Sequence, residues 1–282
     1  MASRPVDAEA RLSSPPRASI LLDAEVQPMG PLAPAEDIRT DPATWDPRLE
    51  RAYYDGDLRA GEAVLELYSR GVDVSRIQRA FSVGAFGLSR LRRMVPTRWS
   101  ITAVDDIISA RLRERIKTYD WIPEHRVYSL EAMGNRWVVL MSPGVWTYES
   151  IEAWYPGTTW NPTEDVAFVG DWEGPLGRVG YASMGGCYYA ARLAVTEALE
   201  RERRQARVLV LREIHRDQLM PLGVWLVRES VRAALRGRPA RFVTLEEALE
   251  EAGRHLDLPL RFWLRVSETL GGGRQETLSR YL

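Results

Sequence analysis

Four apolar residues spaced by four, Val104, Ile108, Leu112 and Ile116, predict an amphipathic helix in the first half of the chain. Its other faces hold Arg111, Arg113, Arg115 and Lys117, which read either as solvated surface or as phosphate contacts. Upstream, DPRLERAYYDG offers an aspartate cap and a proline in the first helical position, and GEAVLELYSRG stops on Gly71. DVSRIQRAFSVGAFGLSRLRRM continues with apolar residues at mixed helical spacing toward a basic end, Arg90, Arg92 and Arg93. Residues 1–45 are rich in Pro, Ala and Ser and have little periodicity; they are predicted to form an extended arm pinned by Ile20, Leu21 and Leu22.

The period then changes. HRVYSLEAMGNRWVVLMSP reads as two strands joined around Gly134-Asn135, and VWTYESIEAWYPG alternates up to a Pro-Gly turn. Glycines 170, 174 and 177 with Pro175 mark a boundary between about residues 165 and 177. Beyond it RVGYAS reads as a short strand, CYYAARLAVTEALERERRQ as a long helix and ARVLVLREI as a buried strand, an order that predicts a βαβ unit. LGVWLVRESVRAALRG, TLEEALEEAGRHL and LRFWLRVSETL read as further helices, the second with a capping box at Thr244 and Glu247. The expected fold is α+β: a mostly helical N-terminal part with an antiparallel β segment, then a C-terminal α/β part containing the βαβ unit, then a flexible tail. The divisions fall at residues 1–45, 46–165, 166–271 and 272–282.

Composition narrows the functions. At 282 residues the chain fits two modest domains or one large one, and 45% hydrophobic with 27% charged residues is ordinary for a soluble protein. No run of eighteen apolar residues exists to span a membrane, and the first residues lack an apolar signal core, so a cytoplasmic protein is expected. A net charge of −1 provides no global basic field, so any nucleic-acid binding must come from a local patch. Cys187 is the only cysteine, which excludes intrachain disulfides and cysteine-ligated zinc. His125, His215 and His255 show no ligand spacing. Lys117 is the only lysine, a bias that fits either coding composition or a use for planar, permanently charged groups.

Five segments could do chemistry. VPTRWSITAVDDI, residues 95–107, places Arg98 and Trp99 on an apparent loop. Thr102 and Asp105 then have the spacing of a capping box, and acids in a first helical turn suit the helix dipole. That account leaves Arg98 and Trp99 unexplained. An arginine beside a helix N-terminus suits phosphate, and adjacent carboxylates are compatible with a hydrated Mg²⁺ at Asp105 or Asp106. Cap and ligand site both stay open. In WTYESIEAW, strand alternation puts Trp146, Tyr148, Glu152 and Trp154 on one face and Glu149 on the other. A carboxylate among rings can hold a planar base, and the same pattern fits a core strand with Glu152 paired to an arginine.

GGCYYAAR turns into a helix at Gly185 and Gly186, where backbone N–H groups can cradle phosphate or small residues can permit close packing. Tyr188, Tyr189 and Arg192 fall in its first two turns. Two Arg-Glu pairs follow, Arg212 with Glu213 at the end of a strand and Arg228 with Glu229 in a helix. Ligands in α/β units bind beyond the carboxyl ends of strands, which suits Arg212, while Arg–Glu networks are equally structural. In GGGRQETLSRYL the glycines tether Gln275, Leu278 and Tyr281, which share one side of a 3₁₀ turn. This resembles a sliding-clamp (PCNA) interaction peptide, with Leu282 where a second aromatic would stand.

Taken in order, VPTRWSITAVDD, ESIEAW, GRVGYASMGGCYYAARLAVTE, RRQARVLVLREI, PLGVWLVRES and RQETLSRYL resemble the archaeal Nre family from about residue 75 onward. The resemblance implies a DNA-repair role, an N-terminal and a C-terminal Nre domain, and clamp binding through Gln275, Leu278 and Tyr281. Many members of the family begin with a cysteine cluster suggestive of zinc; here no cysteine precedes Cys187, so such a module is expected to be absent or its task to lie with another protein. The leading expectation is a clamp-associated repair factor, nucleoid-associated when clamp-bound, with a polar pocket for a nucleotide or a nucleic-acid phosphate. A small-nucleotide enzyme or sensor and a non-catalytic repair adaptor are the alternatives, since no established catalytic motif is present.

Overall fold

The computed structural model describes residues 7–16, 33–41, 44–158, 160–218 and 223–271. The chain divides into two compact units, Met1–Val104 and Asp105–Leu282.

The first unit begins with an exposed antiparallel ribbon of β1 (Ala8–Leu12) and β2 (Ala35–Thr40), which replaces part of the expected plain extended arm. Ile20, Leu21 and Leu22 lie outside the described residues. Three short helices follow, α1 (Pro47–Tyr54), α2 (Ala60–Ser69) and α3 (Val74–Ser82), each packed on the next. Asp46 caps α1 through the N–H of Arg48, with Pro47 in the first position as expected. Asp73 caps α3 through Ser75 and Arg76. Leu49, Val64, Leu67 and Ile77 are buried. The helical reading of residues 74–94 holds only to Ser82. Gly84 (φ 69°) and Gly87 (φ 113°) turn the chain out of the helix, and it passes through a 3₁₀ turn at Ser89–Leu91.

Helix α4 (Thr97–Ile116) runs on from the first unit into the second. Val104, Ile108, Leu112 and Ile116 are all buried, as their spacing predicts. The helix starts at Thr97, however, so the capping-box reading of Thr102 and Asp105 is wrong. Trp99 and Ser100 already donate to the carbonyl of Pro96, and the Thr102 hydroxyl donates back to Arg98 O at 3.2 Å inside the helix.

The second unit is built on a six-stranded mixed sheet of order β6-β5-β7-β4-β3-β8. Its strands are β3 (His125–Ala132), β4 (Asn135–Ser142), β5 (Thr147–Trp154), β6 (Ala167–Glu173), β7 (Arg207–Ile214) and β8 (Ala240–Phe242). Only β5 and β7 pair in parallel. That pair, joined through α5 (Gly186–Glu202), is the βαβ unit, with β6 hung on its edge. RVGYAS is therefore not its first strand; those residues form an irregular loop. The stretch marked as a boundary by its glycines holds β6. The β3–β4 turn is Met133-Gly134, one residue earlier than read, with φ of 53° and 67°, the paired positive values of a type I′ two-residue hairpin.

Helices α5 and α6 (Val224–Arg236) pack together on one face of the sheet. The opposite face is covered by α7 (Leu245–Arg254), α8 (Leu260–Val266) and α9 (Glu268–Gly271), closing a core of Val138, Leu140, Ile151, Leu211, Ala252 and Trp263. The Thr244–Glu247 capping box of α7 forms as expected. LRFWLRVSETL is two helices rather than one, because Ser267 breaks it.

Candidate functional site

On the α5–α6 face the second unit buries charge among apolar side chains such as Leu193, Val195 and Val231. Asp105 and Arg228 are both fully buried, and Arg228 Nη1 donates to the two carboxylate oxygens at 3.0 and 3.2 Å. Burial pushes the Asp105 carboxyl up to about 6, against the pull of Arg228. Arg228 also reaches Glu229 at 3.3 Å, and Arg232 bridges Glu229 at 2.9 Å to Glu197, which it holds through both nitrogens at 2.7 Å.

A second centre surrounds Arg192, which is 1% exposed. Its Nη1 donates to Glu173 at 2.7 Å, its Nε to Ser109 Oγ at 3.1 Å, and its Nη2 to Asp106. The guanidinium lies over the Tyr188 and Tyr189 rings, 5.7 and 5.1 Å from their centroids. Glu173 also accepts from Trp146 Nε1 at 3.1 Å and Arg113 at 3.3 Å. The Asp106 side chain is 49% exposed, so this network reaches solvent there. The adjoining loop is tied by Arg178, which pairs with Asp171 at 2.6 Å and lies 5.1 Å from the Tyr188 centroid. Burial works to raise the Asp171 carboxyl, but Arg178 and the N–H groups of Ser183 and Trp172 outweigh it and hold it down at about 2.

The third centre is Arg212 on β7. It donates to Glu152 at 2.7 Å and Asn135 at 2.8 Å, and its guanidinium lies 4.6 Å from the Trp137 ring centroid and 5.7 Å from that of Trp154. Next to it in sequence, Glu213 faces the other side of the sheet and accepts from the N–H groups of Asp257 and Leu258 at 2.9 and 2.7 Å; burial raises its carboxyl. Glu149 likewise accepts from Ser267 Oγ and Glu268 N, both at 2.7 Å, anchoring α9.

Of the residues singled out by sequence, the fold thus joins Asp106 with Tyr188, Tyr189 and Arg192, Asp105 with Arg228 and Glu229, and Glu152 with Trp154 and Arg212. It leaves Glu149 and Glu213 on the opposite face. Arg98 and Trp99 stand on the first turn of α4, both exposed, Trp99 at 64%. Gln275, Leu278, Tyr281 and Leu282 lie outside the described residues. Asp105 and Asp106 do not converge on a common point, since each takes a different arginine. Glu213, His215 and Asp257 bring one potential ligand atom each within 4.8 Å, but Arg136 already holds Asp257 at 2.8 Å and backbone N–H groups hold Glu213. Glu173 and Ser109 are not among the residues singled out by sequence, Asn135 is read there only as a turn residue, and Arg113, read as solvated surface or a phosphate contact, pairs instead with Glu173; the one local signal for Glu173 is its place in the strand pattern DWEG.

Comparison with known proteins bears on what this arrangement serves. The family model described as Archaeal Nre, N-terminal matches residues 1–161, and that described as Archaeal Nre, C-terminal matches residues 173–281. DNA repair protein NreB of Archaeoglobus fulgidus is 44% identical over 280 residues, covering 99% of this chain and 71% of the relative. DNA repair protein NreA of the same organism is 39% identical, covering 91% of this chain and 65% of the relative. DNA repair protein NreA of Haloferax volcanii is also 39% identical, covering 98% of this chain and 67% of the relative. No solved structure matches.

Proposed function

The chain belongs to the archaeal Nre family, whose relatives are named DNA repair proteins, and from that premise we propose that it is a repair factor of the adaptor kind. It docks on the sliding clamp (PCNA) through Gln275, Leu278, Tyr281 and Leu282 and presents its folded part to damaged DNA. The observation that supports an adaptor over an enzyme is the internal neutralisation of its buried arginines. Arg192, Arg212 and Arg228 each meet a carboxylate of the same chain within 3.0 Å. A site for a nucleotide needs positive charge held in reserve for phosphate, and these guanidinium groups are already matched.

Two experiments test the reading. Deleting residues 274–282 is expected to abolish clamp pulldown without lowering the melting temperature; retained pulldown overturns the docking peptide. Nucleotides at millimolar concentration, with or without Mg²⁺, are expected to leave the melting temperature unchanged. A second reading, a nucleotide or Mg²⁺ site, is favoured by one feature, the half-exposed Asp106 beside Arg192 and two tyrosine rings. A nucleotide-dependent rise in melting temperature that Asp106→Asn removes would establish it in place of the adaptor. No described helix is long and apolar enough to cross a membrane.

A further inference from the structure

Residues 74–104 contain six arginines and no aspartate or glutamate. Three of the six make side-chain bonds within the first unit, Arg79 among them through the carbonyl of Ser75 at 3.3 Å. Arg76 pairs with Asp46 at 3.1 Å, and Arg92 donates to the carbonyls of Tyr53, Asp55 and Gly87. Arg79, Arg90, Arg93 and Arg98 are exposed with no carboxylate partner among the described residues, and so is Arg59 at the start of α2.

Arg59 and Arg93 flank a cavity of about 360 Å³ in this unit. Its walls are apolar: Phe81 and Phe86, edge to face at 5.9 Å, with Leu88, Leu91 and Val95. The rim is framed by backbone. Val95 N donates to Ser82 O and Ser82 Oγ to Val95 O, both at 2.8 Å, so the strap before α4 is laid across the end of α3. Gly84 makes the crossing possible, since a Cβ there would meet Arg93 O at 2.6 Å. Leu91 stands 62% exposed at the lip.

An apolar slot with unneutralised arginines at its edge matches a ligand that is flat and apolar in one part and anionic in the next. We propose that this groove binds single-stranded DNA. An unpaired base enters against Phe81, Phe86 and Leu91, and the flanking phosphates lie on Arg59 and Arg93, with Arg90 continuing the track. A duplex keeps its base faces stacked and could not fill the slot, and an apolar peptide would have no use for the arginine rim. The choice of DNA as the polymer rests on the repair reading above; the groove itself does not.

Fluorescence anisotropy of the full chain with a labelled oligothymidine of about 12 nucleotides tests this across about 50 to 200 mM salt. Arg59→Glu/Arg93→Glu is expected to weaken binding at least about tenfold and to flatten the salt slope by about 1.4, at about 0.7 per phosphate contact on a single strand. Leu91→Ala is expected to weaken binding with the slope unchanged. Both variants alter exposed side chains, so melting temperatures should match the parent. Unchanged affinity in the double variant overturns the groove, and equally tight binding of the matching duplex overturns the inserted base. Equal or tighter binding of the matching RNA strand overturns the choice of DNA. Single-strand binding that survives deletion of residues 274–282 supports the groove whether or not clamp docking holds, so the two readings fail separately.

Discussion

Arginine is used in opposite ways in the two units. In Asp105–Leu282 the buried arginines are locked to carboxylates: Arg192 to Glu173 at 2.7 Å, Arg212 to Glu152 at 2.7 Å, Arg228 to Asp105 at 3.0 Å. In Met1–Val104 the acid-free stretch leaves Arg79, Arg90, Arg93 and Arg98 exposed without a carboxylate among the described residues. A buried pair is a device for holding elements in register, because removing one member strands the other in a poor solvent. An exposed, unmatched arginine does little for stability and keeps its full charge for a partner. A net charge of −1 conceals this, since the acid-free stretch is offset by an excess of acidic residues in the rest of the chain.

The comparison breaks most readily at Arg192. Arg192→Met is expected to cost about 3–5 kcal/mol, because Glu173, with a fully buried side chain, loses its closest cation and keeps only Arg113 and Trp146. Adding Glu173→Gln should recover part of that loss, and Arg93→Met should stay within about 0.5 kcal/mol of the parent. Urea denaturation of the four proteins measures all of this. An Arg192→Met variant as stable as Arg93→Met would mean that the buried network is not what holds this face together.

Those pairings also mark where reading the sequence stopped. Local patterns were legible: the stripe from Val104 to Ile116, the Asp46-Pro47 helix start, the Thr244–Glu247 box and the alternating strands around the hairpin. Each is decided within a few residues by backbone geometry. The partners of Asp105 and Asp106 lie 123 and 86 residues away, so no local spacing could reveal them. The aspartates therefore looked like first-turn caps when they are interior helix positions aimed at α6 and α5. Glu173 was hidden for a related reason: its segment is glycine-rich, which reads as a boundary, although it forms an edge strand.

A second, smaller contrast sets two aspartates with arginine partners against each other. Asp46 in the first unit is held down at about 2, by its hydrogen bond to Arg48 above all. Asp105 is pushed up to about 6 by burial. The folded state therefore releases the Asp46 proton more readily than the unfolded chain, and it holds the Asp105 proton more tightly. Asp46 should contribute about 2 kcal/mol that is present above about pH 4 and lost as pH falls toward 2. Asp105 has the opposite sign: its contribution falls by about 2–3 kcal/mol as pH rises from about 4 to 6. Measured by urea denaturation against pH, the difference between parent and Asp46→Asn should change only below about pH 4, and that for Asp105→Asn only between about 4 and 6. Parallel curves for the two variants would show that depth of burial does not separate these carboxylates.

The smallest effect tests how crowded each unit is at its turns. Gly71 ends α2 at φ 75° with nothing within 4 Å of the place a Cβ would take, whereas Gly134, at φ 67°, would put a Cβ 2.5 Å from Gln218 N and 2.8 Å from an Asp217 carboxylate oxygen. Both sites impose the left-handed conformation, which costs an L-residue about 1–2 kcal/mol. Gly71→Ala should cost that amount and no more, since the methyl enters open space. Gly134→Ala should cost more, because backbone cannot yield as a flexible side-chain end can, and the strain falls on a hairpin whose Asn135 holds Arg212 at 2.8 Å. If the two alanine variants lose the same stability, the loop bearing Asp217 and Gln218 gives way freely, and the tight seating of the Arg212 centre beside the hairpin is lost as an explanation for its order.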